Sequence, residues 1–175
     1  MAQRLIQPHE LILLAEHLAG VGAGPGKPRT IYLRRAISTA YYALFHRLSQ
    51  HAVQRLLGDA WSPKHSAVAR WLTHTDLAKL ADAANGRGNA ALRGALEPVA
   101  DPVSEIMQNF LDLQSSRHAA DYDDYVDVTK AMTVNFVDLA RDSVASADMM
   151  YLTAEPSYMR FLGLALGGAG IAKKR

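Results

Sequence analysis

The chain has 175 residues, a length that suits one globular domain. With 49% hydrophobic and 21% charged residues it is neither mainly disordered nor collagen-like. Lys+Arg 19 against Asp+Glu 17 leaves a net charge of +2, too small to mark a nucleic-acid binder by itself. The absence of cysteine excludes disulfides, thiolate nucleophiles and Cys-ligated zinc, and fits a reducing cytoplasm.

Ala is the commonest residue and the best helix former, so the composition leans all-α. Gln7-Pro8-His9-Glu10 interrupts any signal-peptide core. The apolar stretch Phe161 to Ile171 is broken by Gly163, Gly167, Gly168 and Gly170 and falls short of the roughly 20 residues of a membrane span. These features lead us to expect a soluble, cytoplasmic protein.

Pro8 suits the first turn of a helix whose apolar positions are Leu11, Leu14, Ala15 and Leu18. Gly20, Gly22, Gly24, Pro25 and Gly26 end it. No strand precedes this stretch and Lys27 is followed by Pro28, so it reads as a linker and not a phosphate loop. A long helix follows from Pro28 to Leu57, with Gly58 as its stop. Leu33, Ile37, Ala40, Tyr41, Leu44, Leu48, Ala52 and Leu56 form its core stripe. Arg35, Ser38, Tyr42 and His46 share an adjacent polar line.

Ser62-Pro63 predicts an N-cap and first turn, with Val68, Trp71 and Leu72 on the apolar face. Thr75-Asp76 predicts the start of another short helix carrying Leu77, Leu80 and Ala81, stopped by Asn85-Gly86. Residues 85–100 read as a loop with a weak helical turn or two. Asp101-Pro102 opens a helix in which Ile106, Phe110 and Leu113 lead to Arg117 on the same line. A charge on a buried line must be paired or serve a site. Arg117 can instead snorkel near the helix end or pair with Asp121 at i+4. Asp121, Asp123, Asp124, Tyr122 and Tyr125 crowd the segment after it. Thr129 to Tyr151 predicts the last long helix, with Met132, Phe136, Leu139 and Val144 apolar. Tyr158 to Leu166 predicts a short one, and Lys173-Lys174-Arg175 a frayed basic tail.

The seven histidines make no i, i+4 pair and no H-E-x-x-H, so a helical zinc site is not expected; no cofactor motif appears either. No G-x-S-x-G elbow or Walker loop is present.

Ser38-Thr39-Ala40-Tyr41-Tyr42-Ala43-Leu44-Phe45-His46 resembles the S-x-A-Y-Y-A-x-F-H helix of the HEPN superfamily, the higher eukaryotes and prokaryotes nucleotide-binding domains. Arg117-His118-Ala119-Ala120-Asp121-Tyr122 resembles the R-x-x-A-D-Y motif of a prokaryotic branch. The basic pair Lys64-His65 lies between them. The resemblance covers residues 8–150 and leaves 151–175 as a C-terminal extension. It implies an up-and-down bundle of four to five helices, a homodimer or a pairing with an antitoxin or nucleotidyltransferase-like protein, and no membrane. Toxin–antitoxin, antiphage and RNA-processing systems are its settings.

The superfamily's metal-independent RNA cleavage uses an Arg and a His separated by four to six residues. Arg117 matches the Arg, which would clamp the scissile phosphate. Tyr122, Asp123 and Asp124 stand where the His belongs, and this departure counts against cleavage. The reading that follows is a module that binds RNA, nucleotide or a protein partner in a cleft near Arg117, with Arg35, Ser38, Tyr42 and Asp121 lining it. The alternatives are an endoribonuclease in which His46 or His118 replaces the missing base and Tyr122 orients the phosphate, and a purely structural dimer.

Overall fold

A computed structural model of the chain describes residues 5–24, 26 and 28–167. Pro25, Lys27, the N-terminal residues 1–4, Gly168, Gly170 and the basic tail Lys173-Lys174-Arg175 lie outside the described residues. The expected all-α class stands. The described residues form eight helices and no strand: α1 (Pro8–Ala19), α2 (Thr30–Leu57), α3 (Pro63–Ala69), α4 (His74–Ala84), α5 (Ala90–Leu96), α6 (Asp101–Tyr122), α7 (Lys130–Leu152) and α8 (Pro156–Ala165). None is long and apolar enough to cross a membrane.

These helices form two compact units. The α1 unit comprises Ile6–His46 and Asn109–Ala145; the α8 unit comprises Arg47–Gln108 and the described part of Ser146–Arg175. The division falls within three helices: residues 30–46 of α2, 109–122 of α6 and 130–145 of α7 belong to the α1 unit, and the rest of each to the α8 unit.

In the α1 unit, α2 supplies the core at Leu33, Ile37, Ala40, Tyr41 and Leu44, all fully buried as the stripe predicts. Ala36 and Ala43 are buried too, so α2 is enclosed on more than one face. Phe110 and Leu113 of α6 are fully buried, and Tyr41 packs on Phe110 with ring centroids 5.5 Å apart. A local core of Leu33, Ile37, Ala120 and Val128 closes over the end of α6, with Met132 and Phe136 at its margin.

Two faces are rotated from the expected ones. Helix α1 buries Pro8, Ile12, Ala15 and Ala19, while Leu14 is 47% exposed. Of the expected line Ala15 is buried, while Ile12 and Ala19 replace its leucines in the core. Gly20 ends the helix at φ 69°, the left-handed conformation, and an added Cβ would sit 2.8 Å from the Pro28 ring. Arg141 of α7 holds α1 through Glu16 at 2.8 Å. Helix α7 buries Thr133, Val137, Ala140 and Val144; Met132, Phe136 and Leu139 flank that line half-buried. Thr129 accepts the Met132 amide at 3.2 Å and so starts the helix one residue later than predicted.

The α8 unit is built from short, well-capped helices. Ser62 precedes Pro63 as predicted, and α3 starts there. Val68 and Leu72 are buried, but Trp71 lies past the helix end and is 64% exposed. Helix α4 starts at His74 because Thr73, one turn before the Asp76 amide, is the cap, at 3.1 Å. Leu77, Leu80 and Ala81 are buried and Asn85 ends the helix as expected. Within the stretch 85–100, expected as a loop with a weak helical turn or two, Asn89 accepts the amides of Ala91 and Leu92 and starts the seven-residue α5. On α2, Leu48 and Ala52 are buried but Leu56 is 55% exposed at the helix end.

Helix α8 is integral to this unit. Tyr158, Phe161 and Leu162 are fully buried, and α8 packs on α4 and α5. Glu155 caps it by accepting the Tyr158 amide at 2.6 Å, and Arg160 donates to the Leu96 and Pro98 carbonyls. The expected boundary at 150/151 falls inside α7.

Candidate functional site: an arginine and aspartate cluster at the end of helix six

Arg117 continues the buried line of α6 one turn past Leu113, and its side chain is 21% exposed. Its Nε lies 2.8 Å from Asp121 Oδ2, an ion pair whose N–H is not aligned as a hydrogen bond. Nη2 donates to the Tyr42 hydroxyl at 3.2 Å. The guanidinium lies 5.5 Å from the Tyr42 ring, 5.8 Å from Tyr122 and 5.9 Å from Tyr41, so three π-clouds surround one cation. Burial alone would lower the Arg117 pKa, but Tyr42, Asp121 and Tyr122 outweigh it and hold the pKa above the ordinary value. Burial pushes Tyr41 up to about 12, so that hydroxyl stays protonated beside the charge.

Asp121 is the hub. Its Oδ1 accepts a hydrogen bond from Ser38 Oγ at 2.6 Å and lies 3.9 Å from Arg35 Nη1. Ser38 is 4% exposed and also donates to the Arg34 carbonyl one turn back. The polar line of α2 and the R-x-x-A-D-Y segment of α6 thus meet at a single carboxylate. Arg117, Asp121, Ser38, Tyr42, Tyr122 and Arg35 are one constellation.

The two candidate bases are placed differently. His118 is exposed and packs on Tyr122, one turn along α6, with centroids 4.9 Å apart. His46 is half-buried beside Tyr42 and Phe45, at 6.3 and 5.6 Å, and burial lowers its pKa. Its tie to Arg117 runs through Tyr42.

Arg34 is the residue that sequence reasoning missed. Its Nη1 donates to the carbonyls of Ala120 and Asp123 at 2.9 and 2.8 Å, and its Nη2 donates to Val126 at 3.1 Å. One guanidinium from α2 satisfies the orphan carbonyls at the end of α6 and pins the acidic segment after it. The only signal in the sequence is that Arg34 adjoins Arg35 of the polar line, and nothing there specifies carbonyl partners. Lys64-His65, read as a basic pair, also resolves differently. His65 is 4% exposed, its Nε2–H donates to the Gly58 carbonyl at 2.8 Å, and its Nδ1 accepts from Ser62 Oγ at 2.8 Å. It staples the start of α3.

A second polar cluster escaped the sequence reading altogether. In the α8 unit, His51 is 4% exposed, lies between Asp148 and Tyr158, and stacks on Tyr151 at 4.2 Å and 10°. Arg47 pairs with Asp148 at 2.9 Å. Nothing in the spacing of the histidines hints at this network, because its partners come from two distant helices. Among the described residues no group of three His, Asp or Glu side chains is placed to hold a metal ion. No family model, no curated protein and no solved structure matches this chain.

Proposed function

We propose that the chain is a non-catalytic binding module that takes a nucleotide or single-stranded RNA phosphate at the Arg117 cluster. The observation that carries this reading is the imbalance at Asp121: one carboxylate faces two guanidiniums, Arg117 at 2.8 Å and Arg35 at 3.9 Å. The Asp121 carboxylate is outnumbered by guanidiniums, and exposed aromatic rings stand beside it, interleaved with Asp123 and Asp124. Tyr122 is 67% exposed, Tyr125 is 98% exposed, and His118 is exposed next to Tyr122. A cation with solvent-facing rings is the chemistry that binds a single strand, through its phosphates and by stacking its bases. The resemblance to the HEPN superfamily points the same way. It adds a prokaryotic toxin–antitoxin, antiphage or RNA-processing setting, with a second copy, an antitoxin or a nucleotidyltransferase-like protein as partner. The exposed Leu13, Leu14, Ile31 and Tyr32 of the α1 unit support such pairing.

Metal-independent RNA cleavage is the second reading, favoured by one observation. His46 is kept neutral by burial and lies against Tyr42, which contacts Arg117, so a base-competent ring stands one residue from the guanidinium. Both readings meet one experiment. A labelled single-stranded RNA is incubated in chelator with wild type and with Arg117→Ala. Binding that Arg117→Ala abolishes, with the RNA intact, supports the module. Cyclic-phosphate products that vanish in the variant establish the nuclease. No binding and no cleavage, with a stable dimer in solution, establishes a purely structural role.

A further inference from the structure

Asp121 occupies the centre of the Arg117 cluster. Every group at the cluster suited to an anion already converges on its carboxylate: the Arg117 guanidinium on Oδ2, and the Ser38 hydroxyl and Arg35 on Oδ1. The Asp121 side chain is 15% exposed, so this is a partly desolvated seat and not a chance surface pairing. Its place is over-determined. Asp121 lies one helical turn after Arg117 on α6, and Arg34 fixes the backbone on either side of it through Ala120 and Asp123. A phosphate oxygen has the charge and hydrogen-bonding capacity of the carboxylate it would replace.

We propose that Asp121 is a built-in competitor that occupies the phosphate seat of the Arg117 cluster and holds the module in a low-affinity state. This inference rests on the binding reading above and deepens it. A phosphate enters only by displacing the carboxylate from Arg117, so the resting protein discriminates against isolated phosphates. A strand gains the stacking on Tyr122 and His118 that offsets the displacement. Inorganic phosphate gains none. The ligand class is therefore a phosphodiester joined to a base, and Asp121 sets the threshold for it.

The test titrates the full chain with a short fluorescein-labelled oligouridylate, with inorganic phosphate as competitor, and follows anisotropy. Asp121→Asn keeps an acceptor for Ser38 but removes the charge, and it tightens oligouridylate binding on the order of tenfold, the scale of one released, partly buried ion pair. Its log affinity falls more steeply with log salt, by about 0.7 per phosphate newly neutralised. Inorganic phosphate, inert against wild type, competes measurably in this variant. Asp121→Glu keeps the charge and stays near wild type. Ser38→Ala, which loosens the carboxylate without touching either arginine, tightens binding several-fold and serves if Asp121→Asn folds poorly. Wild type that binds while Asp121→Asn and Ser38→Ala bind no tighter overturns the competitor role and leaves the binding reading standing. A folded Asp121→Asn that binds no oligouridylate, like wild type, overturns both.

Discussion

The Tyr158 hydroxyl lies 2.9 Å from His51 Nδ1, joining α8 to the second half of α2 inside the α8 unit. The other ring nitrogen, Nε2, is 3.4 Å from Asp148 Oδ1. A carboxylate only accepts, so Nε2 carries the proton and Nδ1 accepts from Tyr158. This arrangement needs a neutral imidazole. Burial is the main cause that lowers the His51 pKa below 6.5; Asp148 opposes it and Arg47 adds to it.

Stability follows from that sign. With its folded pKa below the unfolded value, His51 contributes stability that is complete above pH 6.5 and is lost as the pH falls from there through the folded value. The loss is at most about 1.4 kcal/mol per pH unit for one histidine. His46 in the α1 unit is shifted in the same direction by burial and adds its own share. Urea midpoints measured at descending pH therefore fall in wild type and fall less steeply in His51→Gln. Equal slopes in the two proteins would remove His51 from this account.

Tyr158→Phe keeps the ring and deletes the donor. Tyr158 is fully buried, and its own pKa is pushed well above 10 by burial, so the hydroxyl keeps its proton. The variant strands His51 Nδ1 in the interior, at a cost of about 1–3 kcal/mol in chemical unfolding. In a double-mutant cycle with His51→Gln the two losses are strongly non-additive. Additive losses would mean that the 2.9 Å contact contributes nothing.

Arg34→Ala removes three charge-assisted bonds to the end of α6. Because the carbonyls stay partly open to water, which replaces some of the bonding, the expected loss is about 2–3 kcal/mol, below the sum of three full bonds. Arg34→Lys recovers less than half of it, since a single ammonium cannot fork between Ala120, Asp123 and Val126. Amide exchange of residues 119–126 quickens in both variants ahead of the core of α2. Full rescue by lysine would show that charge near the helix end, and not the fork, is what matters.

The stripes of α2 and α6 were legible because each holds one period over many turns: Leu33 to Leu48, and Ile106 to Arg117. The convergence of Arg35, Ser38 and Tyr42 with Arg117 and Asp121 was legible as two motifs, although not as a single carboxylate shared between them. On α1 the expected line Leu11, Leu14, Ala15 and Leu18 holds fully only at Ala15, because Ile12 and Ala19 offer the same helical spacing around it and periodicity does not choose between them. Helix α5 was legible only as a weak turn or two, because Gly94 and the flanking Gly86, Gly88 and Pro98 lower helix propensity and blur its limits, which the Asn89 cap sets. Opposed charges on α2 and after α6 were visible in the sequence. That Arg34 would spend its charge on carbonyls and not on Asp123 or Asp124 was not, because backbone acceptors carry no residue identity.

Ala154 is a site where the local backbone and the residue disagree. It follows α7 with φ 51°, the one non-glycine residue with positive φ among the described residues. The Ala154 amide donates to the Tyr151 carbonyl at 3.1 Å and the Glu155 amide to Met150 at 2.9 Å, so the helix closes with a left-handed residue in the place that usually takes glycine. An L-residue with a Cβ is strained there by about 1 kcal/mol, and Ala154 is exposed, so its methyl buries nothing in return. Ala154→Gly relieves the strain and also frees the unfolded chain, which takes back part of the gain. The expected net effect is a stabilisation of roughly 0.5 kcal/mol, read as a higher urea midpoint with unchanged slope. Ala154→Val, β-branched at the same φ, moves the midpoint the other way by a larger step. The turn after Ala154 delivers Glu155 to cap α8 and Tyr158 to His51, so a midpoint that falls in Ala154→Gly would mean that rigidity at this turn, and not relief of strain, secures the His51 network.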